Sequence, residues 1–98
     1  MVNQNEIKPT DIEMVTPRII MVREALGLSK SEFADRIGID RSSYTKIEKS
    51  EKPLLPRNAI RIWELWGVDM NYIYLGRVDG LPDKLSSALI AARTGLTE

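Results

Sequence analysis

The chain has 98 residues, and its fourteen basic side chains are matched by fourteen acidic ones. Hydrophobic residues make up 43% and charged residues 29%, the balance of one ordinary globular domain. Histidine and cysteine are both absent, which excludes disulfides, thiolate or imidazole zinc sites, cysteine nucleophiles and any histidine-containing catalytic triad.

A metal site built from carboxylates stays open on composition alone, but no cofactor is expected. No apolar run approaches the roughly 20 residues that a membrane helix needs. Residues 1–6 lack the hydrophobic core of a secretory signal. Together with the missing cysteines, this predicts a cytoplasmic protein with no membrane partner.

Residues 1–15 carry no clean period and are expected to form a loose arm. Thr16-Pro17 predicts the start of the first helix, with Thr as N-cap and Pro at the first helical position. Ile19, Ile20, Val22 and Leu26 give that helix its apolar side, and Gly27 ends it. Ser29-Lys30-Ser31-Glu32 is a capping box and opens a second helix. Phe33, Ala34 and Ile37 fall on one face there, and Gly38 closes it.

Asp40 is the N-cap of a third helix that turns Tyr44 and Ile47 inward. Its other positions, Arg41, Ser42, Ser43, Thr45 and Lys46, are polar and mostly small. A helix of that composition has poor intrinsic propensity and depends on tertiary packing. Two prolines bracket the next loop, and Pro56 or Arg57 opens a fourth helix. Ala59, Ile60, Ile62, Trp63, Leu65 and Trp66 give it apolar surface on more than one side. Trp63 and Trp66 are expected in the core or in a subunit contact.

Asp69 caps a short fifth helix that runs through Tyr74 to Gly76. Leu81-Pro82-Asp83 leads into a sixth, with Leu85, Ala88, Leu89, Ile90 and Ala92 apolar. No segment alternates as a strand does. The fold class is therefore all-α, a compact bundle of five or six short helices.

The charge is unevenly spread. Residues 30–61 hold eight basic and five acidic side chains, whereas the two flanking thirds are slightly acidic. An excess of that size means no more than a solvated surface unless a motif accompanies it. The second and third helices supply one. They are joined by only Gly38-Ile39-Asp40, so they cross steeply. Ala34 is small enough for close approach, while Ile39, Tyr44 and Ile47 fill the angle. This is the packing of a helix-turn-helix over Lys30 to Lys49.

The run from Leu28 to Glu48, LSKSEFADRIGIDRSSYTKIE, resembles the Cro/C1-type helix-turn-helix regulators, also called the XRE family. The resemblance covers roughly residues 17–76. It departs at Lys30, where the family often has glutamine, and at Ser50, where it often has glycine. The resemblance implies a lambda-repressor-like DNA-binding domain with the third helix in the major groove.

By position, Arg41, Ser42, Thr45 and Lys46 face base edges, with Arg41 and Lys46 suited to guanine. Lys30, Ser43, Lys49, Ser50 and Arg57 then meet phosphates. Arg23 and Glu48 resemble a structural ion pair of the family. Several alternatives stay open on the residues alone. Ser42, Ser43 and Thr45 are either contacts or merely solvated positions, and Arg41 could pair with a nearby carboxylate instead of DNA. Arg23 and Glu48 could both be simply exposed.

The expected organisation is an arm over residues 1–15, the DNA-binding domain over 16–76 and a C-terminal helix over 77–98. The expected partners are operator DNA and a second copy of the chain, with Ile73, Leu85, Leu89 and Ile90 as spare apolar positions for a C-terminal interface. Two functions fit: a repressor of phage or mobile-element type, or an antitoxin-like protein that autoregulates its operon and blocks a partner protein. An enzyme is not expected, and no room is seen for a self-cleaving protease domain.

Overall fold

The computed structural model describes residues 6–94, with side chains described as far as Leu89. Six helices follow one another: α1 (Ile12–Ala25), α2 (Lys30–Ile37), α3 (Arg41–Glu48), α4 (Pro56–Trp66), α5 (Met70–Leu75) and α6 (Asp83–Thr94). No strand occurs among the described residues.

The α2–α3 corner is built from local chemistry. The Ser29 hydroxyl accepts from the Glu32 N–H at 3.1 Å, and the Glu32 carboxylate accepts from the Ser29 N–H at 2.8 Å. At the far end Gly38 takes the left-handed conformation, with φ 77°. A side chain there would be strained, so glycine lets the chain reverse in one residue. The Asp40 carboxylate then accepts from the Ser43 N–H at 2.8 Å and starts α3.

The first helix departs from expectation. It begins at Ile12, and Pro17 lies inside it. Proline removes one helical hydrogen bond and disfavours helical backbone in the residue before it. Tertiary packing outweighs that preference. Val15 and Thr16 are buried, and the Thr16 hydroxyl donates to the Ile47 carbonyl of α3 at 3.2 Å. Thr16 thus ties α1 to α3 instead of capping a helix.

The core draws on every helix. Phe33 lies at its centre, stacked on Trp66 with ring centroids 5.2 Å apart and tilted against Tyr44 at 5.4 Å. Ile19, Val22, Ile62, Val68, Ile73 and Leu89 complete it. The described apolar residues expected as spare surface at the C-terminus are instead part of the core. Ile73, Leu85 and Leu89 are 0%, 4% and 1% exposed, because α5 and α6 both pack back on α1. The side chain of Ile90 lies outside the described residues. The large apolar side chains left in solvent include Ile60 and Trp63 on α4 and Met70 on α5. The two tryptophans therefore part company: Trp66 is half-buried against the core, and Trp63 is 52% exposed.

Candidate nucleic-acid interface

The third helix buries Tyr44 and Ile47. The helical period places Arg41, Ser42, Thr45 and Lys46 on the face away from those two. Arg41, Ser42, Lys46 and Lys49 are exposed, and Ser43, Thr45 and Ser50 are half-buried.

Many polar groups on this helix are already engaged within the chain. The Ser42 hydroxyl donates to Asp40 Oδ1 at 2.9 Å, and the Ser43 hydroxyl donates to Asp40 Oδ2 at 3.0 Å. With the Ser43 N–H, first in effect, and the two hydroxyls all donating to it, the Asp40 carboxyl is held down at about 2. The Thr45 hydroxyl donates to the Arg41 carbonyl at 3.0 Å. Arg41 does pair with a carboxylate: its Nη2 lies 2.8 Å from Asp35 Oδ2. That bond holds the Asp35 carboxyl below the usual carboxylate range. Lys46 and Lys49 make no ion pair among the described residues.

Around the corner, a groove of about 550 Å³ runs between the end of α2, α3 and the start of α4. Ser43 and Arg57 lie on its walls, joined by Lys52, Asn58 and Arg61. The Lys52 ammonium donates to the Ser43 hydroxyl at 3.2 Å. Lys52 and Arg61 were not singled out in the sequence, although both belong to its basic middle third. Lys52 lies in the loop outside the helical pattern, so only the folded chain brings it to the groove. Pro56 opens α4 as its first residue and Arg57 follows it, at the positive end of the helix dipole.

Lys30, at the start of α2, is exposed, with its ammonium 4.0 Å from Glu48 Oε1. Glu48 is the hub of a buried cluster. Arg23 Nε donates to Glu48 Oε2 at 2.7 Å and Arg23 Nη2 to Oε1 at 3.4 Å. The Tyr44 hydroxyl donates to the same carboxylate, and Arg23 Nη1 donates to the Leu28 carbonyl at 2.9 Å. The side chains of Arg23 and Glu48 are 12% and 6% exposed. Burial, then the bond to Glu48, pushes the Tyr44 phenol far above its ordinary value. The bond to Glu48 raises Arg23.

At the exit of α3, Ser50 adopts φ 60°, the only left-handed conformation among the described non-glycine residues. The Glu51 N–H donates to the Lys46 carbonyl at 2.9 Å and the Ser50 N–H to the Ile47 carbonyl at 3.1 Å. That is a Schellman closure made without glycine.

An all-helical domain with a steep two-helix corner, a polar outward helix and a cationic groove beside it has the build of a DNA-binding module. The profile of the helix-turn-helix family matches residues 19–73, more than half of the chain. The chain belongs to that family, in its Cro/C1-type or XRE branch, and is a DNA-binding transcriptional regulator of that type. No curated relative and no solved structure matches it. No described helix is long and apolar enough to cross a membrane.

Proposed function

We propose that the chain is a cytoplasmic repressor of phage or mobile-element type that binds a palindromic operator as a homodimer. The observation that carries this reading is the outward face of α3, polar and cationic, set beside a groove that holds Lys52, Arg57 and Arg61. In this reading Arg41, Ser42, Thr45 and Lys46 contact bases. Lys30, Ser43, Lys49, Ser50 and Arg57 contact phosphates, with Lys52 and Arg61 added to them. Because the hydroxyls of Ser42 and Ser43 already donate to Asp40, Ser42 offers a base chiefly an acceptor, Ser43 must turn its hydroxyl from Asp40 to reach a phosphate, and the discrimination falls on Arg41 and Lys46.

A single helix-turn-helix covers little DNA, and a two-fold pair doubles its contacts. The half-sites would then lie about 34 Å apart. With Ile73, Leu85 and Leu89 used in the core, the surface that supports a subunit contact is Ile60 and Trp63 on α4. Footprinting on the DNA upstream of the chain's own gene tests operator binding, and sedimentation of the complex tests the stoichiometry. Protection of two half-sites by two protomers is expected. Protection of one half-site by one protomer defeats the dimer.

The exposed Ile60–Trp63 surface also supports a second reading, an antitoxin-like protein that autoregulates its operon and covers a partner protein. If Trp63→Ala leaves two protomers on the operator, the surface belongs to such a partner and not to the dimer.

A further inference from the structure

We propose that Asp35 is a positioning residue for DNA reading, gripping the Arg41 guanidinium by one edge across the α2–α3 corner so that the other edge is presented to a guanine. The inference rests on the reading of Arg41 as a base contact. Arg41 Nε lies 3.3 Å from Asp35 Oδ1 and Nη2 lies 2.8 Å from Oδ2. Those two donors form one side of the planar guanidinium. The donors left over, on Nη1 and on the outer side of Nη2, form the end-on pair that matches guanine O6 and N7. The carboxylate therefore occupies the edge that a guanine does not need.

Three observations separate this arrangement from an ordinary surface ion pair. Arg41 is the first residue of α3, and residues at the start of a recognition helix reach the base edges. Asp35 lies in the last turn of α2, just before Gly38, where the helix dipole disfavours a carboxylate. An acid so close to the DNA-facing helix also repels phosphate, so two electrostatic trends oppose it and Arg41 offsets both. Finally, the side chains of Arg41 and Asp35 are 65% and 56% exposed, and a pair so exposed adds little to stability. Its value lies in order: a guanidinium already fixed in direction loses less freedom on meeting a base.

The test measures binding of the wild type, Asp35→Ala, Arg41→Ala and the double variant. The DNA is a duplex selected by the wild type from a random library, the same duplex with each half-site guanine replaced in turn, and a scrambled duplex. Arg41→Ala is expected to abolish the preference for one guanine. Asp35→Ala is expected to lower that preference about three- to tenfold, a part of what a bidentate arginine–guanine pair supplies. It should bind the scrambled duplex at least as tightly as the wild type, because a charge that repels phosphate is gone. In the Arg41→Ala background, removing Asp35 should change the preference no further. Both substituted side chains are exposed, so melts within about 4 °C of the wild type are expected.

Full guanine preference in Asp35→Ala overturns the proposal, even if every duplex is bound more tightly, since the pair is then only an electrostatic brake. Full preference in Arg41→Ala, or no sequence selected by the wild type, overturns the base-contact reading and this inference with it. The two failures are distinct, because the first leaves the effect of Arg41 intact.

Discussion

Two arginine–carboxylate pairs of nearly equal length lie at the two ends of α3. Arg23 meets Glu48 at 2.7 Å, and Arg41 meets Asp35 at 2.8 Å. The first is nearly closed off from water; the second is more than half open to it. Distance alone does not rank them. A buried charge that loses its partner is left with a desolvation penalty that nothing offsets, whereas an exposed one is resolvated. Glu48 also takes the Tyr44 hydroxyl, so its removal strands two buried donors. The inner pair therefore belongs to the fold, and the outer pair adds little to it.

The largest expected effect breaks the comparison on its buried side. Arg23→Ala and Glu48→Ala should each destabilise the domain by about 3–5 kcal/mol, a fall in melting temperature of more than about 10 °C. The double variant should lose far less than the sum of the two. Thermal melts of the cycle read this directly, and additive losses would show two uncoupled residues.

Lys30 stands between the two sides, exposed yet only 4.0 Å from Glu48. Lys30→Ala should weaken binding to operator and scrambled duplex nearly alike. It should also flatten the dependence of log affinity on log salt by about one unit per protomer. Titrations at several salt concentrations provide the check, and a loss confined to the operator would move Lys30 among the base contacts.

A smaller effect sharpens the view of α3 itself. Ser50 holds φ 60°, a conformation that glycine adopts without penalty, so Ser50→Gly should stabilise the domain by about 0.5–1 kcal/mol. Denaturant unfolding would show it as a raised midpoint at unchanged slope.

The smallest effect concerns acid. Asp40 is depressed to about 2 by the donors at the start of α3. Its contribution is complete above the ordinary carboxylate value of about 3.9 and is lost as pH falls through about 2. Melts from pH 5 to pH 2 should therefore fall less steeply in Asp40→Asn than in the wild type.

The parts of this domain that sequence reading reached are those whose cause is local. Ser29 and Glu32 cap one helix, Gly38 ends it and Asp40 starts the next, each acting within four residues of itself. The start of α1 was beyond such reading. Pro17 has the local chemistry of a first helical residue, and only the burial of Val15 and Thr16, with Thr16 bonded to α3, extends the helix back to Ile12. The apolar residues of α5 and α6 were legible as apolar but not as core or surface, because that depends on how α6 folds back on α1. Trp63 and Trp66 lie about a turn apart on one helix, and only the position of Phe33 separates them. Sequence also left open whether Arg41 meets a carboxylate. The answer lies in the angle between two helices, which brings Asp35 within reach from six residues away.

The stack of Trp66 on Phe33 gives the chain a built-in pair of reporters. One indole lies face to face with an aromatic ring at the centre of the core, and the other stands more than half in water on the same helix. An aqueous quencher such as iodide should therefore extinguish the red-shifted part of the emission first and leave the blue-shifted part. Unfolding would shift the emission of Trp66, while burial of the α4 surface by a second protein would shield Trp63 alone. The two events can thus be followed in one cuvette without attaching a dye.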